Sequence, residues 1–265
     1  MRQPALLLLT FIVTVPLSAE STLRTNGKLA LTAPAPRLNG KPDLSGVWRA
    51  ERSSPSEMAA FLGDEFATQQ VDLQDVGKYY VDAFWGVKPD QEPLLPAAKA
   101  ILQQRAKLPN PTARCLPAGI PGGLFIYAFK VIQTPRQLVM LPESGDPPRQ
   151  IYIDGRSLPA DPQPSWAGSS VAKWQGDRLV VETTGFNEES WLDAFGHPRS
   201  ESMRITETYH RRDFGHMDLE VKIEDPRYYS RSFSFKTQLD LIPDADVIEY
   251  ICGENEKDRA HLAQP

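Results

Sequence analysis

Glu201-Ser-Met-Arg-Ile-Thr-Glu-Thr-Tyr-His-Arg-Arg-Asp-Phe-Gly-His-Met-Asp-Leu-Glu-Val-Lys-Ile223 is the stretch that decides the fold. In its second half Met217, Leu219, Val221 and Ile223 fall on one side, and His216, Asp218, Glu220 and Lys222 on the other. A period of two is that of a strand with one face in a core. Asp213-Phe-Gly215 reads as the turn before it. In the first half the apolar residues Met203, Ile205 and Tyr209 occupy odd positions, while Ser202, Arg204, Thr206, Thr208 and His210 occupy the even ones. That parity carries Glu207 inward, with Glu201 near one end.

The same pattern recurs outward from this pair. Runs rich in β-formers span 44–49, 124–133, 137–141, 149–154, 169–174, 178–184, 201–211, 216–223, 229–239 and 247–252, separated by Pro, Gly and Asp turns. Residues 55–62 and 95–107 read as helical, the second opened by Pro96 with an apolar set at Ala97, Ile101, Leu102 and Ala106, and 63–92 between them reads as a partly helical insertion. No crossover-length helix separates the later runs, which excludes a parallel βαβ sheet there. About ten strands in sequence predict a mainly β chain, an antiparallel up-and-down barrel. A short helical insertion at 50–110 lies between its first and second strands. The barrel domain is expected over 44–257, after an extended arm at 20–43 and before a polar tail at 258–265. In the run 229–239, Tyr229, Arg231, Phe233 and Phe235 share the inward parity, so Arg231 and Glu207 are expected to face each other, or a ligand. A structural ion pair in the interior is the competing reading.

Residues 1–19 combine Arg2, an apolar run at 5–15 and a small-residue end at Ala19, the order of a secretory signal. The run is shorter than the roughly 20 residues of a bilayer span; an uncleaved anchor is the alternative. The expected location is secreted or periplasmic, with no membrane contact after signal cleavage. A net charge of −5 without a basic block argues against nucleic acid as a partner. Two cysteines, Cys115 and Cys252, would form a disulfide in an oxidising compartment; two buried thiols are the alternative.

The chemistry concentrates in residues 185–200, a connection long for a hairpin. It holds Trp191, Asp193, Phe195 and His197. An acid–base site there would use His197 as acid or base and Asp193, four residues earlier, to orient its ring. Glu207 completes the expected catalytic set, with Arg231, Trp191, Tyr209, Tyr229 and Glu201 as substrate contacts. A bland alternative has His197-Pro198 shaping a turn and Trp191 capping the barrel. No CxxC, HExxH, P-loop or GxGxxG is present, so neither metal nor other cofactor is expected.

Lys41-Pro-Asp-Leu-Ser-Gly-Val-Trp48, Cys115-Leu-Pro-Ala-Gly-Ile-Pro-Gly122, Trp174-Gln-Gly-Asp-Arg-Leu-Val-Val-Glu-Thr-Thr-Gly-Phe-Asn187 and Gly196-His-Pro198 resemble a large family of secreted bacterial proteins of unassigned function. The resemblance covers most of 41–257. Family members often carry a second His where this chain has Arg199, a departure that weakens any two-histidine mechanism or metal site. Gly46-Val-Trp48 is also similar to the Gly-x-Trp signature of lipocalins, which implies a calycin-like barrel, a Trp closing one end and a small ligand inside. Two functions follow as expectations. One is a cofactor-independent acid–base enzyme, a hydrolase, lyase or isomerase acting on a small organic or sugar-like molecule in an interior pocket. The other is a non-catalytic, lipocalin-like carrier of a small-molecule ligand.

Overall fold

Alternating burial runs along most strands of a closed nine-stranded barrel. In the computed structural model, which describes residues 24–25, 28–52, 54, 56–57 and 76–252, these strands are β1 Gly46–Ala50, β2 Phe129–Gln133, β3 Gln137–Pro142, β4 Arg149–Tyr152, β5 Ser169–Gln175, β6 Arg178–Thr184, β7 Arg204–Arg211, β8 His216–Glu224 and β9 Phe233–Leu241. Each pairs with the next and β9 closes on β1. All pairings are antiparallel but one. β4 and β5 run parallel, with Ile151 opposite Ser170 and Tyr152 opposite Val171. The long connection between them lets the chain return in the same direction, so the barrel is mixed rather than purely up-and-down. The expected signal, the 55–62 helix apart from Ser56 and Glu57, and the 258–265 tail lie outside the described residues.

A tenth strand at 247–252 does not form. That segment is irregular and is tied to the body by the disulfide between Cys115 and Cys252. Among the described residues, the helices α1 Lys78–Val81, α2 Pro96–Arg105 and α3 Gly123–Ile126 lie between β1 and β2, so the insertion extends beyond 110. On α2 the buried side chain is Ala98, while Ala97 and Ala106 of the expected apolar set are exposed. The insertion shares the barrel core: Tyr79 stacks on Phe235 at 4.0 Å, and Phe125 meets the same ring edge-on at 5.8 Å. No helix of the described residues is long and apolar enough to cross a membrane.

Inward residues form rows across the wall. One row runs Val181, Glu207, Val221, Phe235 through β6 to β9, the next Leu179, Tyr209, Leu219, Thr237. Val181, Glu207 and Val221 have no accessible surface, internal space included, so the lumen at this level is filled by side chains. At one end the Arg211 guanidinium lies over the Trp48 ring at 4.8 Å and donates to the carbonyls of Asp43, Ser45, Asp213 and Phe214. That end is plugged. The opposite end, past Thr183, Ile205, Ile223 and Phe233, lies beneath the 185–200 loop.

Arg231 departs from its expected place. It is exposed and precedes β9. The segment before it pairs elsewhere: Leu95 N–H donates to the Tyr228 carbonyl at 2.9 Å and Ser230 N–H to the Pro93 carbonyl at 2.8 Å. Strand parity therefore starts only at Phe233, and the register that would have turned Arg231 inward is never established.

Candidate functional site

Asp193 organises the loop. Its Oδ1 accepts from the Gly196 and His197 backbone N–H groups at 3.0 and 3.2 Å, and its Oδ2 from Ala83 N–H at 2.8 Å. The fourth donor is His197 Nδ1, 2.6 Å from Oδ2. Gly196 makes the tight turn possible at φ +99°, where an added Cβ would lie 3.0 Å from Arg105 Cβ. The backbone beyond is pinned too. Arg105 donates to the Gly196 and His197 carbonyls at 3.1 and 3.3 Å, the Tyr229 hydroxyl to the Pro198 carbonyl at 2.6 Å, and Ser200 to Asp225 at 2.7 Å through both N–H and Oγ. The Arg199 guanidinium reaches the carbonyls of Ile120, Asn187 and Trp166 and the Asn187 side chain. Burial pulls its pKa down to about 9.

The imidazole thus has a fixed orientation. With a carboxylate on Nδ1, that nitrogen carries a proton. Nε2 faces Glu92 Oε2 at 3.4 Å, and Asp82 Oδ1 lies 4.0 Å from Nδ1. The Phe84 ring packs edge-on against the imidazole at 4.9 Å, and Phe84 in turn touches Tyr229 and Phe233. Only 3% of His197 is exposed. Burial by itself lowers the imidazole pKa. The charge and hydrogen bond of Asp193, joined by Glu92 and Asp82, outweigh burial and push it up to about 10. Asp82 moves up as well, to about 6, because burial and then the Asp193 charge disfavour its ionised form more than the Phe84 N–H and His197 favour it.

Asp82, Asp193 and His197 each present a ligand-type atom within 4.8 Å of the others. The detailed geometry nevertheless suits a proton better than a metal ion. Both oxygens of Asp193 are saturated by four N–H donors, and a separation of 2.6 Å between Nδ1 and Oδ2 is a hydrogen bond. Two ligands of one ion, each at about 2.0–2.2 Å from it, would stand farther apart.

A second polar cluster lies sealed in the lumen. Glu207 is held by both Arg149 Nη atoms, one at 2.9 Å, and by the Tyr209 hydroxyl at 2.7 Å. Arg149 also donates to Thr183 at 2.8 Å and Ser170 at 3.2 Å. Arg149 is 1% exposed and Glu207 0%. This is a saturated ion pair, and its partners are none of those of His197. Burial depresses the guanidinium, but Glu207 more than offsets that and the Arg149 pKa is raised; burial drives the Tyr209 hydroxyl well above its usual range.

The structure therefore brings together His197, Asp193, Tyr229 and Trp191, the last under the Arg105 guanidinium at 5.2 Å. Glu207 and Tyr209 belong to the lumen cluster, and Glu201 and Arg231 are exposed. The sequence reading missed Asp82, Phe84, Glu92 and Arg105 at the mouth and Arg149 within. Arg149 was detectable by parity, since it shares a face with Ile151. Asp82 and Glu92 sit in the acid- and aromatic-rich insertion, where no spacing links them to residue 197. No family model matches the chain, and no curated protein or solved structure matches it.

Proposed function

We propose that the barrel mouth is an acid–base site and that the protein is a cofactor-independent enzyme, a hydrolase, lyase or isomerase, acting on a small organic or sugar-like molecule. The observation that carries this reading is the Asp193–His197 hydrogen bond of 2.6 Å, in a buried ring whose other nitrogen faces a second carboxylate. An imidazole with a pKa near 10 is protonated at neutral pH, so His197 serves as the acid, donating through Nε2 once Glu92 yields its place. Asp193 positions the ring. Asp82, with a pKa near 6, serves as the base above that pH. Paired groups whose surroundings drive their pKa values apart divide the acid and base roles in this way. Three carboxylates around one imidazolium favour neutral or cationic substrates over anions. The expected export signal would deliver the chain to an oxidising compartment, which suits the Cys115–Cys252 disulfide.

Retention of a ligand without chemistry is the second reading. It draws on how closed the site is: His197 is 3% exposed, Asp193 2% and Asp82 7%. Entry of any molecule, for retention or for turnover, would then need the Phe84–Glu92 segment to move aside.

The test is a substrate panel run on the parent, His197→Gln and Asp82→Asn, with pH profiles for any hit. An enzyme should give kcat/KM rising as pH passes about 6 and falling toward 10, with Asp82→Asn abolishing the rise and His197→Gln losing most of kcat. A ligand that stabilises parent and His197→Gln equally, with no turnover in either, would sink the catalytic reading in favour of binding alone.

A further inference from the structure

Away from the mouth, a cleft of about 620 Å³ opens on the barrel wall where the parallel strands β4 and β5 meet. Its size falls within the roughly 300–1,000 Å³ typical of small-ligand sites. Tyr152 and Trp166 give it aromatic surface; Gln150, Ser157, Ser165 and Ser169 give it neutral hydrogen-bonding groups. Arg156 is the charged residue of the lining, and it is already occupied. Its guanidinium is held by Asp154 at 2.7 and 2.9 Å and lies over the Tyr152 ring, 3.6 Å from the centroid.

One wall is fixed in place. Ser165 N–H donates to the Gly185 carbonyl and Asn187 N–H to the Ser165 carbonyl, both at 3.0 Å. The Ser165 hydroxyl accepts from Gly168 N–H at 3.0 Å, and the Trp166 carbonyl accepts from Arg199 and from Ile120 N–H. Trp166 is therefore presented from a backbone clamped to the barrel, not from a loose loop. Such preorganisation lowers the ordering cost of binding.

From this chemistry we propose that the cleft binds a neutral saccharide chain. A sugar ring has an apolar C–H face, which suits Trp166, and a rim of hydroxyls, which suits the serine hydroxyls and the Gln150 amide N–H, the Gln150 Oε1 already accepting from Gln137 and Tyr152. An anionic ligand would find its only cation paired with Asp154, and burying an unmatched charge is unfavourable. A wholly apolar ligand would strip water from four or more polar groups without replacing it. A peptide adding as a β-strand has no edge to join, because Ile151 and Tyr152 already pair with Ser170 and Val171 in a closed barrel. The inference goes beyond the acid–base reading and does not depend on it, since none of these residues belongs to the His197 site.

Calorimetric titration of the full disulfide-bonded protein tests it. The probes are cellotetraose, maltotetraose and tetra-N-acetylchitotetraose, with tetragalacturonate and a proline-rich decapeptide as rivals. At least one neutral tetrasaccharide should bind. Trp166→Ala should weaken it by about tenfold, the loss of one ring contact. Gln150→Ala, an exposed change that gives up side-chain hydrogen bonds to Gln137 and Tyr152, should weaken it measurably while the protein keeps a cooperative melting transition. Failure of all three neutral probes, binding of only the uronate or the peptide, or affinity untouched by Gln150→Ala and by a folded Trp166→Ala would each overturn the proposal.

Discussion

Replacing Glu207 by Gln probes the buried ion pair with almost no change of shape. The amide keeps the volume but removes the counter-charge of a guanidinium that is 1% exposed. It also turns one acceptor toward Arg149 into a donor, so one of the two Arg149–Glu207 hydrogen bonds is lost while the Tyr209 hydroxyl can keep its partner. Breaking one side of a buried pair in this way costs about 3–5 kcal/mol, because the remaining charge is stranded. For a domain of this size, about 2–4 °C per kcal/mol converts that to a fall in Tm of about 6–20 °C. The assay is urea and thermal unfolding of the oxidised protein, followed by fluorescence and circular dichroism. A companion variant, Arg149→Met with Glu207→Leu and Tyr209→Phe, removes the charges and the hydroxyl together. It should recover most of the loss, since Ser170 and Thr183 still bond each other at 3.0 Å. If Glu207→Gln lies within about 1 kcal/mol of the parent, the pair is hydrated and the sealed-lumen argument is wrong. If the triple variant is no better than Glu207→Gln, the penalty is one of packing rather than of stranded charge.

Three further outcomes follow from the same geometry. The folded-state pKa of His197 is raised, so its stabilising contribution is complete below pH 6.5 and fades as pH rises toward 10; His197→Gln should flatten that alkaline decline in urea midpoint. Asp82 is also raised, so folding is favoured by its protonated form and loses stability as pH climbs from about 4 through about 6; Asp82→Asn should gain up to about 2–3 kcal/mol above pH 6 and nothing below pH 4, read by chemical denaturation at the two pH values. Cys115→Ser with Cys252→Ser opens a loop with a sequence separation of 137 and should cost up to about 5 kcal/mol on the chain-entropy model, measured against the parent under non-reducing conditions.

The barrel was legible because its strands announce themselves locally. The run 178–184 coincides with β6, and the odd positions of β7 and β8 face inward as their parity requires. The dyad was legible for the same reason: Asp193 and His197 are four residues apart on one loop, within reach through local backbone geometry alone. Alternation failed where a neighbour took over the hydrogen bonds. The Tyr228–Ser230 segment pairs with the insertion and leaves Arg231 outside, and the 247–252 run is held by a disulfide instead of by a sheet edge. The parallel pairing of β4 with β5 was equally hidden, since strand direction depends on where a connection lands and not on the residues within it.

By itself, then, the sequence determined where nine of the ten expected strands run, which of their faces are apolar, that one carboxylate must enter the core and that one loop carries a histidine with its aspartate. These are properties of period two and of short separations along the chain. Only the tertiary structure decided partners. Glu207 is matched by Arg149, 58 residues away, because β4 and β7 contribute to the same lumen. The ring of His197 faces Glu92, 105 residues away, because the insertion folds over the barrel mouth. An ion pair or an acid–base cluster forms wherever burial makes an unmatched charge untenable, and closure of the barrel, not chain order, sets which groups are there to match it.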